Sequence, residues 1–328
     1  MGVLRALNEE LGWEPAGAAE IVGTSAGSVM GSLLASGVTA EGLMPSSVLA
    51  ASPVDGGSKY EPDPEWILFE LAAQSTYSMS TRALRVPLGS LGLSLSGIRP
   101  GLANPLRLIS GLAPQGLIPT VAIKNAVRRA PRDGWPRRPH CRVVACDYAT
   151  GHRVVFGDAG TPAASLEQAV AASCAIPGFF EPERIEGRLY VDGGLHSMSN
   201  LDLMGDSDVD LVICLNPMSC VERPWRWGPV QQLTSAVGRL AHWQIRQEAA
   251  RVRAAGRPVV LFEPSAEDIA AMGHNMMDAT RAQDVAWAAL NSARRRIREM
   301  RRELTPVIAA SRGGWATTSR TAAHPSGG

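Results

Sequence analysis

Apolar and polar positions first recur with a helical period. Val3, Leu4, Leu7 and Leu11 stand three and four apart, with Arg5, Asn8, Glu9 and Glu10 between them. That spacing predicts an amphipathic helix closed near Gly12. Glu20-Ile21-Val22 predicts a short buried strand, 23–25 a turn, and 26–36 a helix of small residues ending at Gly37. From Met44 to about Thr120 neither period holds, and Pro, Gly and Ser are dense. A lid or insertion is expected over 45–120, with short helices such as 64–75. Regular signals return with strands over 141–148 and 153–156 and a helix over 165–174, capped by Ser165 with Glu167 in its first turn. A strand over 188–191 stops at Asp192-Gly193-Gly194. The near-continuous apolar run 209–215 suits a strand buried on both faces of a parallel sheet. Long helices over 230–255 and 278–303 flank a strand at 258–262. This alternation predicts an α/β layered fold with a mostly parallel sheet. No internal repeat and no linker divides the pattern, so 1–310 reads as one domain, with 218–310 as its C-terminal helical part. The Gly/Ser/Thr/Pro-rich tail 311–328 is expected to be disordered.

Composition adds limits. Hydrophobic residues make up 45% of the 328, enough for a sizeable core. The net charge of +1 gives no bulk attraction to nucleic acid or to an anionic membrane. Lys59 and Lys124 are the only lysines. The arginine run at 294–302 reads first as a solvated helix face, with peripheral membrane contact as the alternative. Cys141, Cys146, Cys174, Cys214 and Cys220 form an odd, scattered set without zinc-ligand spacing. Free thiols in a reducing, cytoplasmic compartment are expected. No basic segment followed by an apolar run opens the chain, and no apolar run reaches the roughly 18 residues of a membrane span.

The stretch Gly23-Thr24-Ser25-Ala26-Gly27 is a Gly-x-Ser-x-Gly between a predicted strand and a predicted helix. Such a turn exposes a serine nucleophile, and small residues at 23 and 27 let strand and helix approach closely. The N–H of Ala26, at the helix N-terminus, is a candidate oxyanion donor. The plain alternative is a glycine-rich turn without catalysis. A base is needed. His196, His242, His274 and His324 are candidates, but none follows a strand directly with an acid ahead of it. Asp192 ends a strand, and the two glycines after it leave its carboxylate open to a neighbour. A carboxylate in reach of a serine hydroxyl can act as its general base. The plain alternative there is an Asp-Gly turn.

Both motifs, in this order and with a long gap, resemble those of the patatin-like phospholipases. So do Gly2-Val-Leu-Arg-Ala-Leu7, Ala171 to Pro182 ahead of the aspartate, Asn200 after it, and Asp210 to Pro217 as the next strand. The resemblance covers about 2–217. It implies a three-layer α/β/α fold with an inserted lid and a Ser-Asp dyad. Ser25 would be the nucleophile and Asp192 the general base. Gly23, Ala26 and Gly27 would form the elbow and oxyanion donors, and Gly193 and Gly194 would shape the aspartate's loop. It implies a lipid or other acyl-ester substrate, with no metal, no cofactor and no nucleic-acid partner. The family also has a first strand and a Gly-rich oxyanion loop ahead of the Gly-Val-Leu helix, and neither is found before Met1. Either the natural start lies upstream, which is the favoured reading, or the protein is catalytically impaired and binds lipid or a partner. Residues 1–328 alone are accordingly expected to be poorly active and poorly soluble. A His-dependent α/β-hydrolase is the remaining alternative.

Overall fold

A computed structural model describes residues 1–44, 89–97, 105–130, 134–137, 139–219, 229–273 and 279–306. Helix α1 (Gly2–Leu11) ends on Gly12 in the left-handed conformation, φ 58°. Strand β1 (Glu20–Thr24) runs straight into helix α2 (Ala26–Ala35). Within the expected insertion lie α3 (Leu91–Ser96) and α4 (Pro105–Leu112), followed by α5 (Val121–Arg128). Then come β2 (His140–Asp147), β3 (Arg153–Phe156) and α6 (Leu166–Ser173), the last opened by a reciprocal Ser165–Gln168 cap. Strands β4 (Glu183–Ile185) and β5 (Arg188–Asp192) form a hairpin. Strand β6 (Val212–Leu215), α7 (Pro229–Ala254), β7 (Val259–Phe262), α8 (Ala266–Met272) and α9 (Ala282–Glu299) complete the order. The expected helix at 64–75 and the tail 311–328 lie outside the described residues.

Strand β2 is the centre of a five-stranded mixed sheet. Parallel pairing joins β1 to β2 and β6 to β7; β3 and β5 are antiparallel to β2. Val143 and Val144 each pair with β1 and with β3, while Ala145 and Cys146 each pair with β5 and with β3. A strand has two edges, so β1 and β5 must share one edge of β2. They run toward each other along it and meet carboxyl end to carboxyl end, Thr24 opposite Val144 and Asp192 opposite Ala145.

Side chains alternate across β2. Cys141, Val143 and Ala145 pack with Ile123 and Val127 of α5 and Leu166, Ala169 and Val170 of α6. Cys146 faces the other way, onto Leu93 of α3 and Val191. Ile245, Ala249 and Val252 of α7 cover β6 and β7. Helices therefore lie on both sides of strands in three layers. Helix α1 lies on α9, where a Cβ on Gly2 would stand 2.5 Å from the Ala286 carbonyl oxygen. The arginine run on α9 is a solvated face, as its sequence suggests, with Arg295, Arg298, Arg301 and Arg302 exposed, and it also makes ion pairs. Arg294 pairs with Glu9, Arg298 with Glu10 and Arg295 with Glu267, and Arg296 lies over the Phe262 ring. Among the described residues no helix is long and apolar enough to cross a membrane.

Candidate active site

Ser25 occupies the junction of β1 and α2 with φ 53° and ψ −128°, a backbone region that side chains rarely enter. Holding it there costs about 1–3 kcal/mol, which the surrounding contacts must over-determine. They do. The Ser25 N–H donates to Ser173 Oγ at 2.9 Å, and Ser173 Oγ donates to the Val144 carbonyl at 2.6 Å. Ser28 Oγ donates to the Ser25 carbonyl at 2.7 Å. A Cβ on Gly23 would stand 2.5 Å from Ser28 Cα, so the strand-to-helix crossing admits only glycine there. Gly27 is different. A Cβ there would meet nothing within 4 Å, so the close approach expected at 27 is made by 23 alone. Ala26 and Gly27 are exposed at the start of α2, and Ser28 and Val29 donate to Ser25 O. The N–H groups of Ala26 and Gly27 therefore have no intrahelical acceptor.

Asp192 reaches this turn because β5 ends where β1 ends. The sequence reading placed it at the mouth of a parallel sheet; it arrives from the opposite direction, on the antiparallel β5. The residue is buried, 6% exposed. Burial raises its pKa from 3.8 to about 6, against the Gly194 N–H and the Ser25 hydroxyl, which both favour the charged form. The Gly194 N–H donates to Oδ1 at 2.7 Å. A Cβ on Gly193 would stand 2.4 Å from the Val144 carbonyl oxygen, so that glycine lets the chain turn against β2.

The segment after Asp192 is fastened from three sides. Asn200, fully buried and at φ 48°, donates from Nδ2 to Thr24 Oγ1 at 3.0 Å and to the Ser197 carbonyl at 2.7 Å. It thereby ties this segment to the nucleophile's strand. Buried Glu248 of α7 accepts from Ser197 Oγ at 2.6 Å, Ser199 Oγ at 2.5 Å and the Leu201 N–H at 2.9 Å. Buried Arg107 of α4 donates from Nε to the Leu195 carbonyl at 3.0 Å and from Nη2 to Nδ1 of His196. Burial, Arg153 and Arg107 push His196 down to about 4, which keeps its ring neutral and able to accept.

The sequence-predicted residues thus gather at one place: Ser25, Gly23, Ala26, Gly27, Asp192, Gly193 and Gly194. The histidines do not join them as partners of the serine. His196 meets Arg107, and His242 Nδ1 pairs with Glu263 Oε1 at 2.7 Å. His274 and His324 lie outside the described residues. Sequence reasoning missed Ser173, Glu248 and Arg107. Among the described residues no group of three or more His, Cys, Asp or Glu is placed to hold a metal ion.

The family model Patatin, described as patatin-like phospholipase, matches residues 1–204. The chain belongs to this family. Patatin-like phospholipases are in general lipid acyl hydrolases, and the matched span holds both the Ser25 turn and the Asp192 loop, with Asn200. In this patatin-like protein Glu248 lies beyond the matched span, yet its carboxylate holds the loop that follows Asp192.

Proposed function

We propose that this patatin-like protein is a serine acyl-ester hydrolase acting on lipids through a Ser25–Asp192 dyad. One observation carries the reading. The Ser25 hydroxyl, on a strained turn, faces a buried carboxylate whose pKa of about 6 lies near the working range of a general base. Asp192 takes the Ser25 proton as Oγ attacks the ester carbonyl. The oxyanion that forms faces the N–H groups of Ala26 and Gly27 at the start of α2. As the intermediate collapses, Asp192 returns the proton to the departing alcohol and an acyl-serine remains. Water, deprotonated by Asp192, then attacks the acyl carbon, and the fatty acid leaves as Ser25 regains its proton.

We assign 1–310 to one hydrolase domain with 45–120 as its insertion. Cys141, Cys146, Cys174 and Cys214 are unpaired thiols, which supports a reducing, cytoplasmic setting. The partners of His196 and His242 favour the dyad over a histidine triad. Hydrolysis of p-nitrophenyl esters by Ser25→Ala and Asp192→Asn tests the reading. Each variant is expected to lose at least about a thousandfold in kcat/KM. Wild-type rates in both would overturn it.

A further inference from the structure

Among the described residues, Met1 and Trp243 are exposed singly, but five other large apolar side chains left in water fall close together. Leu91 (70% exposed) and Leu95 (52%) stand one turn apart on α3, and Leu112 (69%) ends α4. Phe179 (45%) and Ile176 (42%) stand on the turn after α6. Close backbone approaches join these pieces. A Cβ on Gly89, just before α3, would stand 2.3 Å from the Ala113 carbonyl oxygen. One on Gly178 would touch Ala113 Cβ at 3.4 Å, and one on Gly116 would stand 2.3 Å from the Phe179 carbonyl carbon. The five residues therefore belong to one surface. Residues 89–97, 108–123 and 174–180 carry no charged side chain. The surface also borders the site, because the Asp192 N–H donates to the Ala175 carbonyl at 3.0 Å, one residue before Ile176.

We propose that this face, made by α3, the end of α4 and the 176–179 turn, is where the protein lies on an uncharged or zwitterionic lipid surface. The inference rests on the hydrolase reading above and supplies its substrate's physical state, an aggregated lipid rather than a free monomer. A contiguous apolar patch on a water-exposed face marks an interaction site. Its lack of charge matches a neutral headgroup layer, and its leucines and phenylalanine suit the headgroup–acyl boundary. Its position beside Asp192 gives an acyl chain leaving that layer a short route to Ser25. The arginine run on α9 is a poorer candidate, since Arg294, Arg295 and Arg298 already hold carboxylates.

Flotation of the full chain with phosphatidylcholine vesicles, at 0.1 and 0.5 M salt, tests this directly. The wild type is expected to float equally at both salts. Leu91→Asp with Phe179→Asp is expected to lower the partition at least tenfold, and Arg301→Gln with Arg302→Gln to leave it unchanged. If the double aspartate variant melts lower, Leu95→Ser with Leu112→Ser takes its place, with at least a threefold loss expected. The proposal is overturned if the wild type does not float, or if the apolar variants float as it does. It is equally overturned if binding needs anionic lipid and vanishes at 0.5 M salt, or if those variants lose stability while partition stays. Fluorophosphonate labelling of Ser25 is read in parallel. Flotation without labelling removes the hydrolase reading and leaves this surface; labelling without flotation does the reverse.

Discussion

The backbone N–H of Ser25 donates to the hydroxyl of Ser173, 148 residues further on, at 2.9 Å. The last residue of α6 thus ties the nucleophile's own peptide to the central strand. Ser173→Ala leaves that N–H and the Val144 carbonyl without this partner, a loss of about 1–3 kcal/mol. The melting temperature is expected to fall by several degrees, and fluorophosphonate labelling of Ser25 to slow by about tenfold. A variant that matches wild type in both measurements would show that the turn is held without this link.

The raised pKa of Asp192 fixes the direction of two pH effects. Below about pH 6 the carboxyl is protonated and cannot accept the Ser25 proton. kcat/KM is expected to rise about tenfold per pH unit below 6 and to level off above it. Stability runs the other way. A carboxyl raised from 3.8 to about 6 favours folding fully below pH 3.8, and that contribution is lost as pH rises through 6. Asp192→Asn is therefore expected to be more stable than wild type at pH 8, by about 3 kcal/mol, while nearly inactive. Denaturant unfolding of both proteins at pH 5 and pH 8 checks this; a constant difference between them would contradict it.

The two glycines of the elbow separate cleanly. Gly23→Ala drives a Cβ to 2.5 Å from Ser28 Cα and 2.7 Å from the Gly27 carbonyl oxygen, both backbone atoms that cannot swing aside. Loss of soluble expression, or of several kcal/mol, is expected. Gly27→Ala enters open space inside α2 and is expected to stabilise by up to about 1 kcal/mol. Thermal melts of the pair decide it, and equal effects would mean that the crossing is looser than it stands here.

Glu248 holds three donors from the segment after Asp192. Glu248→Ala strands all three and is expected to cost about 2–4 kcal/mol. Glu248→Gln keeps one acceptor oxygen and should recover part of that loss. Hydrogen exchange at 195–201 should accelerate in the alanine variant, with a fall in kcat/KM. Unchanged protection there would remove Glu248 from the support of the Asp192 loop.

What the sequence disclosed was local. The apolar run into Gly23, the Ser165 cap and the turn after Asp192 are each set by neighbours a few residues away, and each was found within a residue or two. The meeting of β1 and β5 end to end was not legible, because it depends on the short β4–β5 hairpin returning along an edge already half used. Ser173 and Glu248 gave no signal either. One looks like any small residue of an alanine-rich helix, the other like a polar position of an amphipathic one. The solvated face of the α9 arginines was legible, but their ion-pair partners were not, since Glu9 and Glu10 lie more than 280 positions away. Gly27 erred in the other direction, where a motif letter was given a packing role that its surroundings do not require.

Those ion pairs between α1 and α9 have a consequence for how the protein is made. Helix α1 finds its covering partner only when residues near 298 have emerged from the ribosome. Until then Leu7 has no Leu290, Ala293 or Ile297 to pack against. With 288 positions between Glu10 and Arg298, synthesis leaves a long interval in which the unshielded apolar face of α1 invites chaperones and self-association.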